Sequence, residues 1–144
     1  MGNSKSLKIE DQICFPLYVL AKEITGLYRP FLDELDITYS QYLVMMILWE
    51  NEGLAVNCIG EKLYLDSGTL TPLLKRLESK GFILRKRKKE DERVVEVFMT
   101  ESGKALQQKA AKIPEKIYRK IDATPTEWTE LQESAKKILS KIEK

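Results

Sequence analysis

A helical pattern followed directly by a strand pattern occupies residues 67–99, which read SGTLTPLLKRLESKGFILRKRKKEDERVVEVFM. Four leucines share one face of the predicted helix: Leu70, Leu73, Leu74 and Leu77. Asp66 or Ser67 can cap the start of this helix, and Gly81 can cap its end. The β-rich runs 82–87 and 94–99, separated by a charged tip, predict a two-stranded hairpin.

A shorter helical pattern precedes this segment. Residues 56–65 place Ile59, Leu63 and Leu65 on the inward face of a helix. The sequence Asp66-Ser67-Gly68 breaks that pattern, so a tight turn joins two short helices. Helix, tight turn, helix and hairpin is the order of a winged helix-turn-helix, in which the second helix enters the major groove of DNA.

Amphipathic helices flank this middle segment. Residues 12–34 are predicted to form the first helix, which Pro30 should kink or end. Its apolar stripe consists of Ile13, Leu17, Leu20, Ile24, Leu27 and Phe31. A second helix, 41–50, is apolar all round and is expected to be buried, with Thr38 or Ser40 as its N-cap.

Two more helices follow the hairpin. One begins at residues 100–103 and is interrupted by Pro114, and the last begins after residues 124–126. Their apolar stripes are Leu106, Ala110, Ile113 and Ile117, and then Trp128, Leu131, Ala135, Ile138 and Ile142. Because the middle segment already contains its own core, the stripes at the chain ends are expected to meet a second subunit.

The predicted fold class is therefore mainly α with a small β wing (α+β). We expect a single domain over residues 1–144, because this length and apolar content suit one modest core. The winged helix-turn-helix covers 37–100, and dimerisation helices cover 8–36 and 101–144.

Composition excludes several classes of function. The chain has 144 residues, a net charge of +2, no histidine and two cysteines without CxxC spacing. This argues against a polycation, a zinc site, a disulfide scaffold, a cofactor and histidine-dependent catalysis. The polar start of the chain has no apolar run behind it, and the run 43–49 is too short to span a bilayer. We therefore expect a soluble cytoplasmic protein without a membrane partner.

Positive charge is concentrated in the predicted hairpin, where six of the nine residues 85–93 are lysine or arginine. An isolated basic run is usually a solvated loop, but its position after a helix-turn-helix favours contact with DNA. Asp91 stands two residues before Arg93 and can hold it in one rotamer for the minor groove. The predicted DNA-binding residues are Asp66, Ser67, Thr69, Thr71, Lys75 and Arg76 from the helix, and Arg85, Lys86, Arg87, Lys88, Lys89, Asp91 and Arg93 from the hairpin.

Several motifs resemble the MarR family of dimeric regulators, and within it the organic hydroperoxide resistance regulators. They are QICFPLY at 12–18, Tyr28, ITYSQY at 37–42, LYLDSGTLTPLLKRLESKG at 63–81, DER at 91–93 and TESG at 100–103. The resemblance implies a homodimer built on the terminal helices. It also implies a repressor that binds a pseudo-palindromic operator in double-stranded DNA and leaves it on oxidation.

Cys14 is the candidate sensor. It lies near the start of the predicted first helix, where free N–H groups and the helix dipole favour a thiolate. Tyr18 shares its face, whereas Tyr28 lies about 21 Å further along the helix and can reach Cys14 only from a partner subunit. The resemblance assigns Tyr28 and Tyr39 to that role in trans. A lone cysteine is otherwise a small buried hydrophobe, which is our interpretation of Cys58.

Members of the family that form a disulfide between subunits carry a resolving cysteine in the C-terminal part of the chain, but residues 101–144 contain none, so the chain resembles the one-cysteine type. We therefore expect an organic hydroperoxide to oxidise Cys14 to a sulfenic acid, which a low-molecular-weight thiol captures or which oxidises further. Three alternatives stay open. They are a regulator released by a non-redox phenolic or amphiphilic ligand, a thiol peroxidase with Cys14 as nucleophile, and a winged helix that binds protein.

Overall fold

In the computed structural model of the chain, the described residues are 6–142. The first five residues of the polar N-terminal segment and the last two of the predicted segment 101–144 lie outside them. The described chain forms two compact units, and the boundary between them in the sequence lies between Ile113 and Pro114.

The first unit contains most of the secondary structure. After a single 3-10 turn, Ile9–Asp11, its elements are α1 (Cys14–Glu34), α2 (Tyr39–Glu50), β1 (Leu54–Ala55), α3 (Val56–Leu63), α4 (Ser67–Ser79), β2 (Ile83–Arg87), β3 (Val95–Met99) and α5 (Glu101–Ala110). The α3–α4 pair and the strands confirm the predicted winged helix-turn-helix.

Helix α2 forms the centre of the first unit. Thr38 caps it as predicted, through a reciprocal pair in which the Gln41 N–H donates to Thr38 Oγ1 at 3.3 Å and the Thr38 N–H donates to Gln41 Oε1 at 2.9 Å. The helix therefore begins at Tyr39, two residues earlier than predicted. Val44, Met45 and Leu48 are buried, as the all-round apolar pattern requires.

Helix α1 runs through Pro30 and ends four residues later, so the proline does not terminate it. Pro30 removes the hydrogen bond to the carbonyl of Gly26 and crowds that carbonyl. Gly26 is exposed, so water can hydrate the helix at this point.

The sheet has three strands instead of the predicted two. β1 pairs antiparallel with β3, with Leu54 opposite Val97, and the order is β1-β3-β2. The hairpin pairs Ile83 with Met99 and Arg87 with Val95. A strand of two residues has no readable period, so only its pairing with β3 identifies it.

The helix-turn-helix has clear local causes. Helix α3 ends two residues earlier than predicted, because Tyr64 adopts a left-handed φ of 58°. Asp66 caps α4, and its side chain accepts from the Thr69 N–H at 2.7 Å. Of the four predicted leucines, Leu70, Leu74 and Leu77 are buried. Leu73 is half-buried. Gly81, just beyond the end of α4, takes a φ of +81°.

Two glycines allow a test of the turns that bound this segment. Gly53 and Gly81 both have φ of +81°, but only at Gly53 would a Cβ overlap a neighbour, at 2.6 Å from the Phe98 ring. We expect Gly81→Ala to lower the free energy of unfolding by about 1 kcal/mol and Gly53→Ala by about 2 to 3 kcal/mol. Urea denaturation measures both. Equal losses would show that the Phe98 contact adds nothing to the backbone strain.

The second unit is helical. α6 (Ile113–Lys120) begins at the last residue of the first unit, and α7 (Pro125–Leu139) follows. The helical pattern is interrupted before Pro114, as predicted. Thr124 caps α7 in a reciprocal pair with Glu127. Within this unit the rings of Tyr118 and Trp128 meet edge to face, 5.5 Å apart.

Candidate functional site

A groove of about 390 Å³ separates α4 from the wing. Four basic side chains and several residues of the flanking elements line it: Lys75, Arg85, Arg87 and Arg93, with Thr71, Leu74, Ala55, Val56, Asn57, Val94 and Val95. A solvent-open groove lined by four cations is suited to a polyanion.

Helix α4 turns a polar face outward beside this groove. Ser67, Thr69, Lys75 and Arg76 are exposed and Thr71 is half-buried, while the leucine face packs inward. The hydroxyl groups lie in the first turns, where the N-terminus of a reading helix meets base edges. The structure therefore places the predicted α4 residues on one accessible surface.

The root of the wing is fastened to α4 by Arg85. Its guanidinium donates to Glu78 Oε1 at 3.1 and 3.3 Å, and its backbone N–H donates to Glu78 Oε2 at 3.0 Å. These bonds hold the pKa of Glu78 below its usual range. Two of its five guanidinium N–H groups serve Glu78, and its side chain is only 25% exposed, so Arg85 is less accessible to phosphate than the other cations of the wing. Lys86 lies over the Phe98 ring, 5.7 Å from its centroid.

At the tip of the wing, Arg93 is held by Asp91. Its Nε donates to Asp91 Oδ1 at 3.0 Å and its Nη2 to Oδ2 at 3.2 Å, while its side chain is 91% exposed. This confirms the predicted pairing of Asp91 with Arg93 and leaves one edge of the guanidinium free. The bonds lower the pKa of Asp91, so its carboxylate stays charged at neutral pH. Arg87 donates to the Glu92 carbonyl, and Lys88 and Lys89 are exposed.

The Asp66 cap predicts a pH dependence of stability. The N–H of Thr69, followed by its hydroxyl, lowers the pKa of Asp66 from its ordinary value of 3.8. A lowered folded-state pKa stabilises the protein above pH 3.8, and this contribution is lost as the pH falls through the folded-state value.

Asp66→Asn keeps a capping acceptor but cannot titrate. We expect the difference in the free energy of unfolding between the natural chain and Asp66→Asn to be constant from pH 5 to 7 and to shrink below about pH 4. Urea unfolding at each pH measures it. A difference that did not change with pH would contradict the role of the charged cap.

Cys14 is the first residue of α1 and is exposed. No side chain caps this end of the helix, so its first N–H groups have no side-chain acceptor. Tyr18, one turn further on, is 69% exposed, and Ile13 is 73% exposed. The N-terminal half of the α1 stripe therefore lacks a cover within residues 6–113.

The structure brings Tyr28 and Tyr39 together, far along α1 from Cys14. Their ring centroids are 5.1 Å apart, and Tyr42 joins them at 5.8 and 6.2 Å. Burial raises the pKa of Tyr39, and burial with the neighbouring Tyr39 raises that of Tyr42. Both phenols therefore stay protonated at neutral pH and can donate hydrogen bonds.

Several of these residues escaped the sequence interpretation. Tyr42 lies three residues after Tyr39 and so shares its helix face, a spacing that was available in the sequence. Asn57, at the start of α3, lines the groove because β1 places that end of the helix beside the wing. No sequence pattern marked Glu78 as a partner of Arg85, because their bond depends on how α4 packs against β2. Cys58 is half-buried on α3.

Comparison with known proteins decides the family. Residues 26–110 match the family model of the transcriptional regulators SarA and Rot. The organic hydroperoxide resistance transcriptional regulator of Bacillus subtilis (strain 168) is 56% identical over 108 residues, which cover 75% of this chain and 74% of the relative. The chain belongs to the MarR family of transcription regulators.

Solved structures of the regulator AbfR are similar to this chain over most of its length. AbfR of Staphylococcus epidermidis in its reduced form bound to DNA has a TM-score of 0.82 and 32% identity, covering 95% of this chain and 94% of that one. Overoxidised AbfR bound to DNA has a TM-score of 0.71 and 37% identity over 90% of this chain and 94% of that one. The Bacillus subtilis relative is a transcriptional regulator, and both AbfR structures contain DNA.

Two negative findings apply to residues 6–142. None of the helices there is both long and apolar enough to cross a membrane. No group of three or more histidine, cysteine, aspartate or glutamate side chains in that range is placed to hold a metal ion.

Proposed function

We propose that this MarR-family chain is a cytoplasmic repressor that binds a pseudo-palindromic operator as a homodimer and leaves it when an organic hydroperoxide oxidises Cys14. The observation that carries the DNA-binding part is the cation-lined groove between α4 and the wing, with Arg93 held at its edge by Asp91. The similarity to the hydroperoxide resistance regulator supports the signal.

The reading surface divides into two parts. Ser67, Thr69 and Thr71 meet base edges or phosphates in the major groove from the N-terminal half of α4. Arg93 enters the neighbouring minor groove, where A·T-rich sequence concentrates negative potential. The remaining basic residues neutralise phosphates on either side, which fixes the position of the protein on the duplex: Lys75, Arg76, Arg87, Lys88 and Lys89.

The dimer supplies the spacing between the two reading heads. The exposed stripe at the start of α1 includes Ile13, Leu17 and Leu20, and on α7 Ile138 is 62% and Leu139 40% exposed. We assign both stripes to the interface, since apolar surface of this extent is normally covered. Both stripes lie within the predicted dimerisation segments 8–36 and 101–144, but Leu106 and Ala110 of the second segment are buried within the chain itself and are not available to a partner.

Oxidation at Cys14 follows a balanced reaction. The thiolate attacks the distal oxygen of the hydroperoxide, the O–O bond breaks, and the alkoxide takes a proton to leave as an alcohol. The sulfur, oxidised by two electrons, is a sulfenic acid, which a small thiol converts to a mixed disulfide with loss of water. Since overoxidised AbfR was solved on DNA, we favour the mixed disulfide as the released form of this chain.

The two tyrosines act from the other subunit. A helix rise of 1.5 Å per residue puts Tyr28 about 21 Å from Cys14 along α1, so the two cannot meet within one chain. An antiparallel crossing of two α1 helices places the Tyr28–Tyr39 pair of one subunit at Cys14 of the other, where their hydroxyl groups donate to the sulfur. A bulky adduct at Cys14 then forces the crossing apart and changes the spacing of the reading heads.

Fluorescence anisotropy on an A·T-rich duplex with two half-sites one helical turn apart tests the proposal. We expect tight binding that falls steeply with salt, and release after equimolar organic hydroperoxide and a small thiol. Mass spectrometry should find the adduct on Cys14. Binding without salt dependence, or oxidised protein with unchanged affinity, would contradict it.

A further inference from the structure

Met99 lies at the junction of β3 and α5, at the root of the wing. It is half-buried and lines a solvent-open groove of about 500 Å³ together with Trp49, Gly53, Phe98, Lys104 and Gln107. The groove is distinct from the cation-lined groove and from Cys14. A hydroperoxide in solution can therefore approach the Met99 side chain.

The sulfur of Met99 packs directly on Gly103, in the first turns of α5. A Cβ on Gly103 would overlap both the Met99 sulfur and the carbonyl oxygen of Phe82. Those two atoms therefore fill the space above the glycine, and an added oxygen atom has no room on that side.

The carbonyl of Phe82 holds the root of the wing in place. It accepts the N–H of Thr100 at 3.1 Å, and the Thr100 hydroxyl donates to the Gly81 carbonyl at 2.6 Å. These bonds tie the end of β3 to the connection between α4 and β2. A change in the position of Met99 is therefore expected to change the orientation of the wing relative to α4.

We propose that Met99 is a second oxidation site, at which an organic hydroperoxide forms methionine sulfoxide and weakens DNA binding independently of Cys14. The thioether sulfur attacks the peroxide, the O–O bond breaks and an S–O bond forms. The sulfur loses two electrons, and the peroxide leaves as an alcohol after proton transfer. The sulfoxide is larger and more polar than the thioether, and its oxygen is excluded from the Gly103 side, so we expect the Met99 side chain to turn away from Gly103 and its packing at the β3–α5 junction to be lost.

This inference rests on the proposed function for its oxidant and for its DNA readout. A neutral thioether reacts more slowly than a thiolate, so oxidation of Met99 requires a higher hydroperoxide concentration or a longer treatment than oxidation of Cys14. The two responses also differ in how they are reversed. A thiol reductant reverses the Cys14 adduct, whereas only methionine sulfoxide reductases restore Met99.

The test uses full-length Cys14→Ser protein, which lacks the proposed sensor, treated with excess tert-butyl hydroperoxide. We expect one oxygen atom on the peptide containing Met99 and a fall of about tenfold in DNA affinity that follows the same time course. A mixture of both reductases should restore the affinity, and dithiothreitol should not.

Two further variants in the Cys14→Ser background locate the effect. Met99→Leu keeps the packing volume and should lose the slow response, while Met46→Leu, another half-buried methionine, should keep it. Trp49 gives a readout without DNA, because its indole N–H donates to the Gly103 carbonyl at 2.9 Å. With Trp128→Phe added, oxidation of Met99 should change the Trp49 emission.

Three results would overturn the inference. They are an unmodified Met99 under conditions that oxidise Met46, a Met99 sulfoxide with unchanged affinity and Trp49 emission, and a slow response that survives in Met99→Leu. None of these results depends on Cys14. The proposed role of Cys14 is tested separately, by the fast release of the natural chain from DNA.

Discussion

Replacing Cys14 by serine is expected to preserve DNA binding and to slow hydroperoxide-dependent release by about two orders of magnitude or more, because a hydroxyl is not a nucleophile toward peroxide at neutral pH. Cys14 lies at the start of α1, on an element separate from α4 and the wing. The Cys14 sulfur therefore takes part in the response to hydroperoxide and not in the contact with DNA. Stopped-flow anisotropy on labelled duplex measures the release rate.

Cys58→Ser is the matched control. Cys58 is the other cysteine of the chain, half-buried on α3, and we expect its variant to respond at the rate of the natural protein. Unchanged release in Cys14→Ser would contradict the redox proposal. If the double variant Cys14→Ser/Cys58→Ser were still released at the natural rate while Met99 stayed unmodified, the signal would be the non-redox ligand considered at the outset.

The same experiment separates a sensor from a thiol peroxidase. A sensor consumes about one hydroperoxide per Cys14 and then stops when no reducing thiol is added, because nothing reduces the oxidised sulfur. With a reducing thiol present, repeated consumption as fast as the first oxidation of Cys14 would favour the enzyme, because a sensor waits for the reduction of its adduct.

Arg93→Ala is expected to weaken DNA binding by about thirtyfold for each wing, and by about a thousandfold for a dimer that uses both. The Asp91 carboxylate holds the guanidinium in one orientation while the side chain stays 91% exposed. Little entropy is then lost when it enters the minor groove. Anisotropy at several salt concentrations measures both the affinity and the number of phosphates neutralised.

Two variants separate position from charge. Lys89→Ala removes an exposed tip cation that does not line the groove, and should change affinity only severalfold. Asp91→Asn removes a negative charge near DNA, so a purely coulombic wing predicts tighter binding. If Asp91 positions Arg93, binding weakens instead and the preference for A·T-rich sequence relaxes. Tighter binding by Asp91→Asn would refute the positioning role.

Much of the site could be predicted because its determinants are local. The Asp91–Arg93 pair spans two residues, and the hydroxyl groups of α4 follow from helix periodicity around the leucine face. Asp66 was one of two candidates for the cap, and the structure selects it over Ser67. What the pattern did not predict is that Arg85 is committed to Glu78, which changes its part in a run of otherwise similar cations.

The tyrosines show where sequence distance misleads. Tyr28 and Tyr39 stand eleven residues apart on different helices, and the resemblance alone connected them. Their contact depends on the packing of α1 against α2, which also adds Tyr42. Packing between helices has no signature within either helix.

The segment from 67 to 99 by itself determined a helix, a turn and two strands, since capping and periodicity involve groups within about four residues of each other. The tertiary structure decided what those elements do together. It shows that β1 is a third strand and that α1 continues through Pro30. It also shows that Arg85 bonds Glu78 and that the Met99 sulfur packs on Gly103. Each of these depends on partners that come together only when the chain folds, so local pattern cannot reveal them.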